Sequence, residues 1–337
     1  MAVSGERARV PSIRDVARLA GVSHQTVSRV LNDHPSIRPE TKKRVQDAIG
    51  VLDYRPNLAA RALVTSRSRT IGVLSATVGE YGPTSSIASI EDAARAEGYS
   101  VTTVNLPETT PEAIGDAIRQ LGREQVSGIV ALAPQVRVFN VLRGISTGVP
   151  IVSLLAASGA DGFTLSPDQV AGARAVTEHL ISLGHVDIVH LAGPQDWIEA
   201  ESRMRGYLDA MREADLQTFP PIRGDWTADF GYFAGTELAR RPDFTAVFAA
   251  NDLMAIGLIH GFRDVGIDVP RQVSVVGFDD VPVAAHIWPP LTTVHQDFPA
   301  LGQRAVEILL AEIRGEAVPS ADPIVPQLRL RSSSASR

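Results

Sequence analysis

The stretch Ser12–Asn32, SIRDVARLAGVSHQTVSRVLN, constrains this chain more than any other. Its apolar residues Ile13, Val16, Ala17 and Ala20 recur at helical spacing and stop at Gly21, and a second apolar series begins with Val27, Val30 and Leu31. Two short helices joined by a tight glycine-containing turn make a helix-turn-helix. Ser12 stands three residues before Asp15, an N-cap with an acid in the first turn. Ser23 caps the second helix and places His24, Gln25 and Ser28 near its start, the part of a recognition helix that reaches base edges in the major groove. An ordinary helical hairpin has the same periodicity, so the surrounding chain must decide.

Charge is the first such context. Residues 1–69 hold 13 Lys and Arg against 6 Asp and Glu, a net of +7, while the remaining residues hold 19 against 32, a net of −13. A basic head on an acidic body directs only the head towards a polyanion. With 337 residues, 44% apolar and 21% charged, the chain can build two or three units with cores of their own. Without cysteine there is no disulfide framework, thiolate metal site or cysteine nucleophile, which fits a reducing cytoplasm. MAVSGERARV lacks an apolar core and is not expected to be a signal peptide, and no apolar run approaches the ~18 residues of a membrane span.

Taken in order, residues 1–10 read as a flexible arm and 11–55 as the DNA-binding headpiece. Within it DHPSI is a polar turn, and Pro39-Glu40 opens a third helix to about Leu52 with Val45, Ala48, Ile49 and Leu52 inward. Pro56 breaks that helix, and Asn57 can cap a short Ala-rich helix ending near Val64, so 56–69 reads as a short helix and linker, the segment that the family resemblance given below makes a hinge helix. So short a helix is marginal unless packed, and a plain linker is the alternative. From Thr70 the pattern changes to short β-branched runs (TIGVLSA, YSVTTVNL, GIVALAP, PIVSLL, DIVHLAG, AVFAAND, VSVVGFDD) separated by helical segments such as IASIEDAARAEG, GARAVTEHLISLG and DLMAIGLIHGFRDVG. Alternating strands and helices predict parallel sheets covered on both faces, here as two doubly wound α/β subdomains.

SHQTVSRV and Tyr54-Arg-Pro-Asn57 closely resemble the headpiece of the LacI/GalR family of bacterial repressors, and the resemblance runs almost to the C-terminus. It implies a periplasmic-binding-protein-like core at 70–328, with an N-subdomain of about 70–166 and 297–326, a C-subdomain of about 167–295, and crossovers near Ser166, Gln296 and Gln327. It implies DNA contacts at Ser12, Arg14, Ser23, His24, Gln25, Thr26, Ser28, Arg29, Asn32, Tyr54, Asn57, Ala60 and Leu63. In the family two hinge helices pair in the minor groove, and a leucine at the position of Leu63 wedges between base steps, a known way to kink DNA. Arg38 departs from the usual Ser or Thr cap, and His24 stands where galactoside-responsive members have a tyrosine. Gln25 has an amide that suits adenine; Arg29 can reach guanine or phosphate; Thr26 and Ser28 suit phosphate or capping. The tail, 329–337, has no heptad pattern, so a dimer without a tetramerising helix is expected.

Sites in such folds lie in the cleft beyond the carboxyl ends of the strands. Arg203, Asn251-Asp252 and Asp279-Asp280 fall just past expected strands. A guanidinium offers paired donors and a carboxylate accepts from two neighbouring hydroxyls, so with an amide they suit a pyranose. Trp226 and Phe298 could supply apolar ring faces. For each Arg or Asp alone, an ordinary ion pair or cap is the alternative. The resemblance carries effector contacts onto Arg203, Trp226, Asn251, Asp279, Gln296 and Phe298, and onto Glu80, Gly82 and Pro83 of the first lobe. Leu155 replaces a sugar-contacting aspartate, Pro167 an aromatic and Glu80 a leucine, so the sugar or its substituent differs; a galactoside-like effector is expected.

His179 reads as a helix-surface residue without a metal-spaced partner, and no GxGxxG or P-loop is present. Asp279 and Asp280 are adjacent at a strand end and point different ways, which argues against an acid/base pair. The reading is a non-enzymatic, sugar-released repressor that binds double-stranded palindromic operator DNA as a homodimer, is associated with the nucleoid, and needs no cofactor, metal or membrane. The alternatives are a corepressor-dependent repressor, and a sugar-binding receptor or enzyme with an accessory helical head.

Overall fold

The computed structural model describes residues 11–31, 36–54, 68–76, 79–155, 163–241, 243–320 and 322–337. The expectations for residues 1–10, for Asn32 and for Asn57, Ala60 and Leu63 lie outside them. The chain divides into two compact units, Met1–Ser68 and Arg69–Arg337.

The first unit contains α1 (Ile13–Ala20), α2 (His24–Leu31) and α3 (Pro39–Leu52). The backbone N–H of Ser12 donates to the Asp15 carboxylate at 2.9 Å, which closes off the start of α1. Gly21 ends α1 in the left-handed region at φ 62°, where a side chain would be strained. Ser23 Oγ accepts from Thr26 N at 3.1 Å and starts α2. Arg38 makes no side-chain cap for α3, and Pro39 at the first helical position supplies the helical φ instead. Val16, Ala17, Ala20, Val27, Val30, Val45 and Ala48 bury against one another, with Tyr54 half-buried beside them.

The second unit has two lobes. In the first, β1 (Thr70–Ser75), β2 (Ser100–Asn105), β3 (Gly128–Leu132), β4 (Ile151–Leu154) and β5 (Phe163–Leu165) form a parallel sheet in the order β2-β1-β3-β4-β5. Strand β3 is buried throughout because both faces are covered. Ile71, Val73, Val130 and Leu132 face helices Tyr81–Ala96 and Phe298–Arg314, while Leu74, Ile129 and Ala131 face Pro111–Arg123 and Val136–Arg143. In the second lobe β6 (Ile188–Ala192), β7 (Ile222–Arg223), β8 (Ala246–Ala249) and β9 (Ser274–Val276) are parallel in the order β7-β6-β8-β9. Helices Gln169–Ser182 and Ile198–Glu213 cover one face, and Ala228–Leu238 and Asp252–Asp264 the other.

Three passages of chain join the lobes. The first leaves β5 for the helix at Gln169, the second leaves β10 (Thr293–His295) for the helix at Phe298, and the third runs from Ile324 to β11 (Gln327–Arg329). Strands β10 and β11 pair antiparallel with Val294 opposite Leu328, and Pro167 bridges Ile324. The stretch set apart from Arg329 as a tail is packed onto the second lobe. Val275 N donates to Ser333 O at 2.8 Å, Ser333 is fully buried, and Arg337 N donates to Leu183 O at 3.0 Å. His179 is likewise half-buried rather than a bare surface residue, its Nε2 lying 3.0 Å from Ser334 Oγ.

Candidate functional site

The headpiece presents an exposed polar edge at the start of α2: Ser23, His24, Gln25 and Arg29 are exposed, Thr26 and Ser28 half-buried. Val27 and Val30 anchor the opposite face, so the helix cannot turn these groups inward without losing its core. Arg14 is exposed on α1. Thr26 Oγ1 lies 2.9 Å from Ser23 Oγ, which makes the pair a cap as well as a candidate phosphate contact.

In the cleft of the second unit, four buried side chains close a ring. Arg203 Nε donates to Gln169 Oε1 at 2.8 Å, Gln169 Nε2 to Gln296 Oε1 at 2.7 Å, and Gln296 Nε2 to Asp279 Oδ1 at 2.7 Å. Arg203 Nη2 completes it at 3.2 Å from the same Asp279 oxygen. The members come from the first turn of helix Gln169–Ser182, the second turn of helix Ile198–Glu213, the turn after β9 and the crossover after β10, so the ring ties the floor of the cleft to the passages that join the lobes. Gln169 was not singled out from the sequence: a glutamine in a first helical turn carries no motif. Arg203 also donates to Ala250 O, and its guanidinium lies 4.0 Å from the Phe278 ring centroid and 5.6 Å from that of Trp226.

Burial raises the Asp279 pKa, with Arg203 pulling it back down. Its neighbour Asp280 turns the other way, to Arg331 Nη2 at 2.6 Å and His295 Nδ1 at 3.1 Å. Asp252, fully buried, accepts from Val281 N at 2.8 Å and from Thr293 Oγ1, a structural role.

The backbone is strained at these turns. Trp226 has φ 72°, Asp279 φ 109° and Asp280 φ 56°, left-handed values that non-glycine residues adopt only when surroundings hold them. Asn251 provides one such hold: its Nδ2 donates to Trp226 O at 3.0 Å while its Oδ1 caps Met254 N at 2.9 Å. The Trp226 ring lies on Gly193, where a Cβ would collide with the indole. Its Nε1 is buried without an acceptor.

The pocket brings together Glu80, Gly82 and Pro83 from the first lobe with Arg203, Trp226, Asn251 and Asp279 from the second. Tyr81, Trp197 and Glu199 join them, none singled out from the sequence. Gln296 and Phe298 adjoin these lining residues without being among them. Gln296 lies in the ring with both polar ends engaged, and Phe298 is buried in the first-lobe core, edge-on to Tyr81 with centroids 5.8 Å apart. Leu155 is fully buried in the same core, which accounts for an apolar residue there.

Across the rim the lobes exchange backbone bonds. Val136 N donates to Asp196 O at 3.1 Å and Ile198 N to Pro134 O at 2.8 Å, with Arg137 Nε 3.0 Å from the Asp196 carboxylate. Among the described residues no cluster of three metal-binding side chains occurs, and no helix is long and apolar enough to cross a membrane.

Residues 12–57 match the family model of bacterial regulatory proteins, lacI family, and residues 177–334 match the periplasmic binding protein-like domain. The lactose operon repressor of Escherichia coli (strain K12) is 33% identical over 309 residues, covering 91% of this chain and 86% of the relative. The HTH-type transcriptional repressor PurR of Haemophilus influenzae (strain PittEE) is 32% identical over 331 residues, covering 96% and 98%. The fold is similar to the crystal structure of the lac repressor dimer bound to operator and the anti-inducer ONPF, with a TM-score of 0.87 at 31% identity, covering 97% of this chain and 100% of that one. A capped helix-turn-helix with an exposed recognition edge, a two-lobed core with a polar cleft, and full-length similarity to repressors place this chain in the lacI family of bacterial regulatory proteins, as a DNA-binding transcriptional repressor and not an enzyme.

Proposed function

We propose that the repressor works as a homodimer on a palindromic operator, in the cytoplasm with the nucleoid, and that a small sugar in the inter-lobe cleft releases it. The observation that carries the effector reading is the closed ring around Arg203 and Asp279. It fixes a guanidinium and a carboxylate side by side, and Asp279 Oδ2 and the remaining Arg203 N–H groups suit neighbouring hydroxyls. Trp226 and Tyr81 add ring surface, and likeness to a lactose operon repressor favours a galactoside-like ligand.

On the DNA side, Gln25 and Arg29 read base edges, with His24 beside them setting a related but different half-site preference. Ser12, Arg14, Ser23, Thr26, Ser28 and Tyr54 suit phosphate or backbone contacts. Two-fold protein symmetry asks for two-fold DNA symmetry. Trp288, 83% exposed, and Val283, 48% exposed, are large apolar side chains open to a second copy, which supports self-association. Segment 56–69, with Asn57, Ala60 and Leu63, is assigned the coupling between cleft and headpiece.

Ligand and operator favour different states of one dimer, and a coupling of about 1–3 kcal/mol weakens operator binding roughly 5–150-fold. Fluorescence anisotropy on a labelled palindrome from the gene's own upstream DNA, at fixed salt with a panel of sugars, tests this. Loss of binding with one sugar supports it, and tightening with a ligand replaces inducer by corepressor. Absence of binding to every palindrome defeats it.

A further inference from the structure

Two carboxylates remain in the cleft once the ring is closed. Among the described residues Arg203 is the one cation lining the pocket, and Asp279 already faces it at 3.2 Å. Glu199 lines the same pocket from the first turn of helix Ile198–Glu213, is 5% exposed, and has no hydrogen-bond or ion-pair partner among the described residues. Glu80 lines it from the first lobe, half-buried, and its charge acts on Glu199.

The helix N-terminus stabilises a carboxylate at Glu199, but not enough. Burial, with Asp279 and Glu80 adding to it and Arg203 opposing, raises its pKa to about 7. A second orphan sits opposite in charge preference: the buried Trp226 Nε1 donor has no acceptor. Besides Asp279 Oδ2 and the remaining Arg203 N–H groups, the residues lining the pocket thus include two carboxylates and a tryptophan whose indole donor is unpaired. A neutral sugar would satisfy the hydroxyl-type contacts yet bring no opposite charge to Glu199 and Glu80, which is costly whenever they are ionised. A ligand that brings a positive charge removes that cost.

We propose that the effector is a cationic sugar, an amino sugar or amine-bearing glycoside, whose ammonium lies against Glu199 and Glu80 while a hydroxyl or ring oxygen accepts from the Trp226 indole. This rests on the cleft being the effector site. Glu199 becomes the specificity-determining residue, and Glu80 couples the charge to the first lobe. The ammonium holds Glu199 ionised, so binding releases protons when Glu199 begins neutral.

Calorimetry on the full-length protein tests this, with galactosamine and glucosamine as probes against galactose, glucose and the two N-acetylated amino sugars, which lack the charge. At least one amino sugar is expected to bind about tenfold or more tighter than its neutral and N-acetylated counterparts. Glu199→Gln is expected to bring the amino-sugar affinity to within about threefold of that of the neutral sugars in the same variant. The amino-sugar affinity is expected to fall as pH is lowered through about 7, where Glu199 takes up a proton. Neutral sugars that bind as tightly as the amino sugars, and lose affinity in Arg203→Met, would overturn the cationic assignment and leave the cleft reading standing. Probe binding unaffected by Arg203→Met would remove the cleft reading and this inference together. Failure of both amino sugars to bind, or a preference that survives in Glu199→Gln, also overturns it.

Discussion

Arg203 and Asp279 face each other at 3.2 Å with side chains only 4% and 9% exposed, and the two glutamines that complete their ring come from the crossovers between lobes. A buried ion pair of this kind is not a simple gain in stability, because both charges have left water. Its use is orientation. The ring leaves one Asp279 oxygen and part of the guanidinium without a partner in it and connects both to the passages that join the lobes.

Breaking one side of the pair leaves the other charge buried alone. Arg203→Met is expected to lower folding stability by about 3–5 kcal/mol, and adding Asp279→Asn to recover a large part of it. Urea denaturation of both single variants and the double variant measures these effects, and simple additivity would show that the two side chains do not act as a pair.

Glu199 gives stability a pH dependence of opposite sign to an ordinary surface carboxylate. Its pKa rises from 4.5 to about 7 on folding, so the folded state holds its proton more tightly. The unfolded chain therefore ionises first, and the penalty grows as pH rises from about 4.5 to about 7, then stays constant. Glu199→Gln is expected to be neutral in acid and stabilising above that window, by on the order of 3 kcal/mol at most. Thermal melts across pH check this; a variant less stable than the parent above neutrality would contradict it.

Ile198 is the first residue of its helix and donates its N–H to Pro134 O across the rim. Proline fits a first helical position, and the preceding Trp197 already has the extended φ −100° and ψ 119° that proline requires of its neighbour. Ile198→Pro is expected to keep the helix while removing an inter-lobe bond and some side-chain packing. If the joined rim is the ligand-bound arrangement, sugar affinity falls about 5–10-fold in calorimetry. Unchanged affinity would show that the rim takes no part in closure.

On α2, Gln25→Ala is expected to cost about 1–3 kcal/mol and to relax discrimination at one base pair of each half-site. Loss of a pure phosphate contact would instead weaken all sequences alike and reduce the salt slope by about 1. Anisotropy on operator variants at several salt concentrations separates the two for Gln25 and Arg29.

Much of this was legible in the sequence because it rests on local patterns. Helical periodicity either side of Gly21, the Ser12–Asp15 cap and the alternation of β-branched runs with helical segments all act over a few residues. Strands β5, β7, β10 and β11 escaped because two or three residues are too short to show alternation. The ring partner Gln169 and the pocket carboxylate Glu199 escaped because their roles depend on which chain segments meet across the cleft. Asn251 and Gln296 were found as residues but not as struts, since only the geometry shows both ends of each amide occupied. The serines of the tail carry no motif, yet Ser333 is buried because its hydroxyl donates to Val275 O and accepts from Thr292 N.

The central claim is that occupancy of the Arg203–Asp279 cleft governs operator binding. The most direct measurement is an operator titration by anisotropy of the parent protein and of Asp279→Asn, each with and without the sugar that binds the parent. The parent is expected to lose operator affinity roughly 5–150-fold with sugar, and Asp279→Asn, at a temperature where thermal melts show it folded, to bind operator but ignore the sugar. A parent indifferent to a cleft-bound sugar, or an Asp279→Asn variant that responds like the parent, would contradict the account.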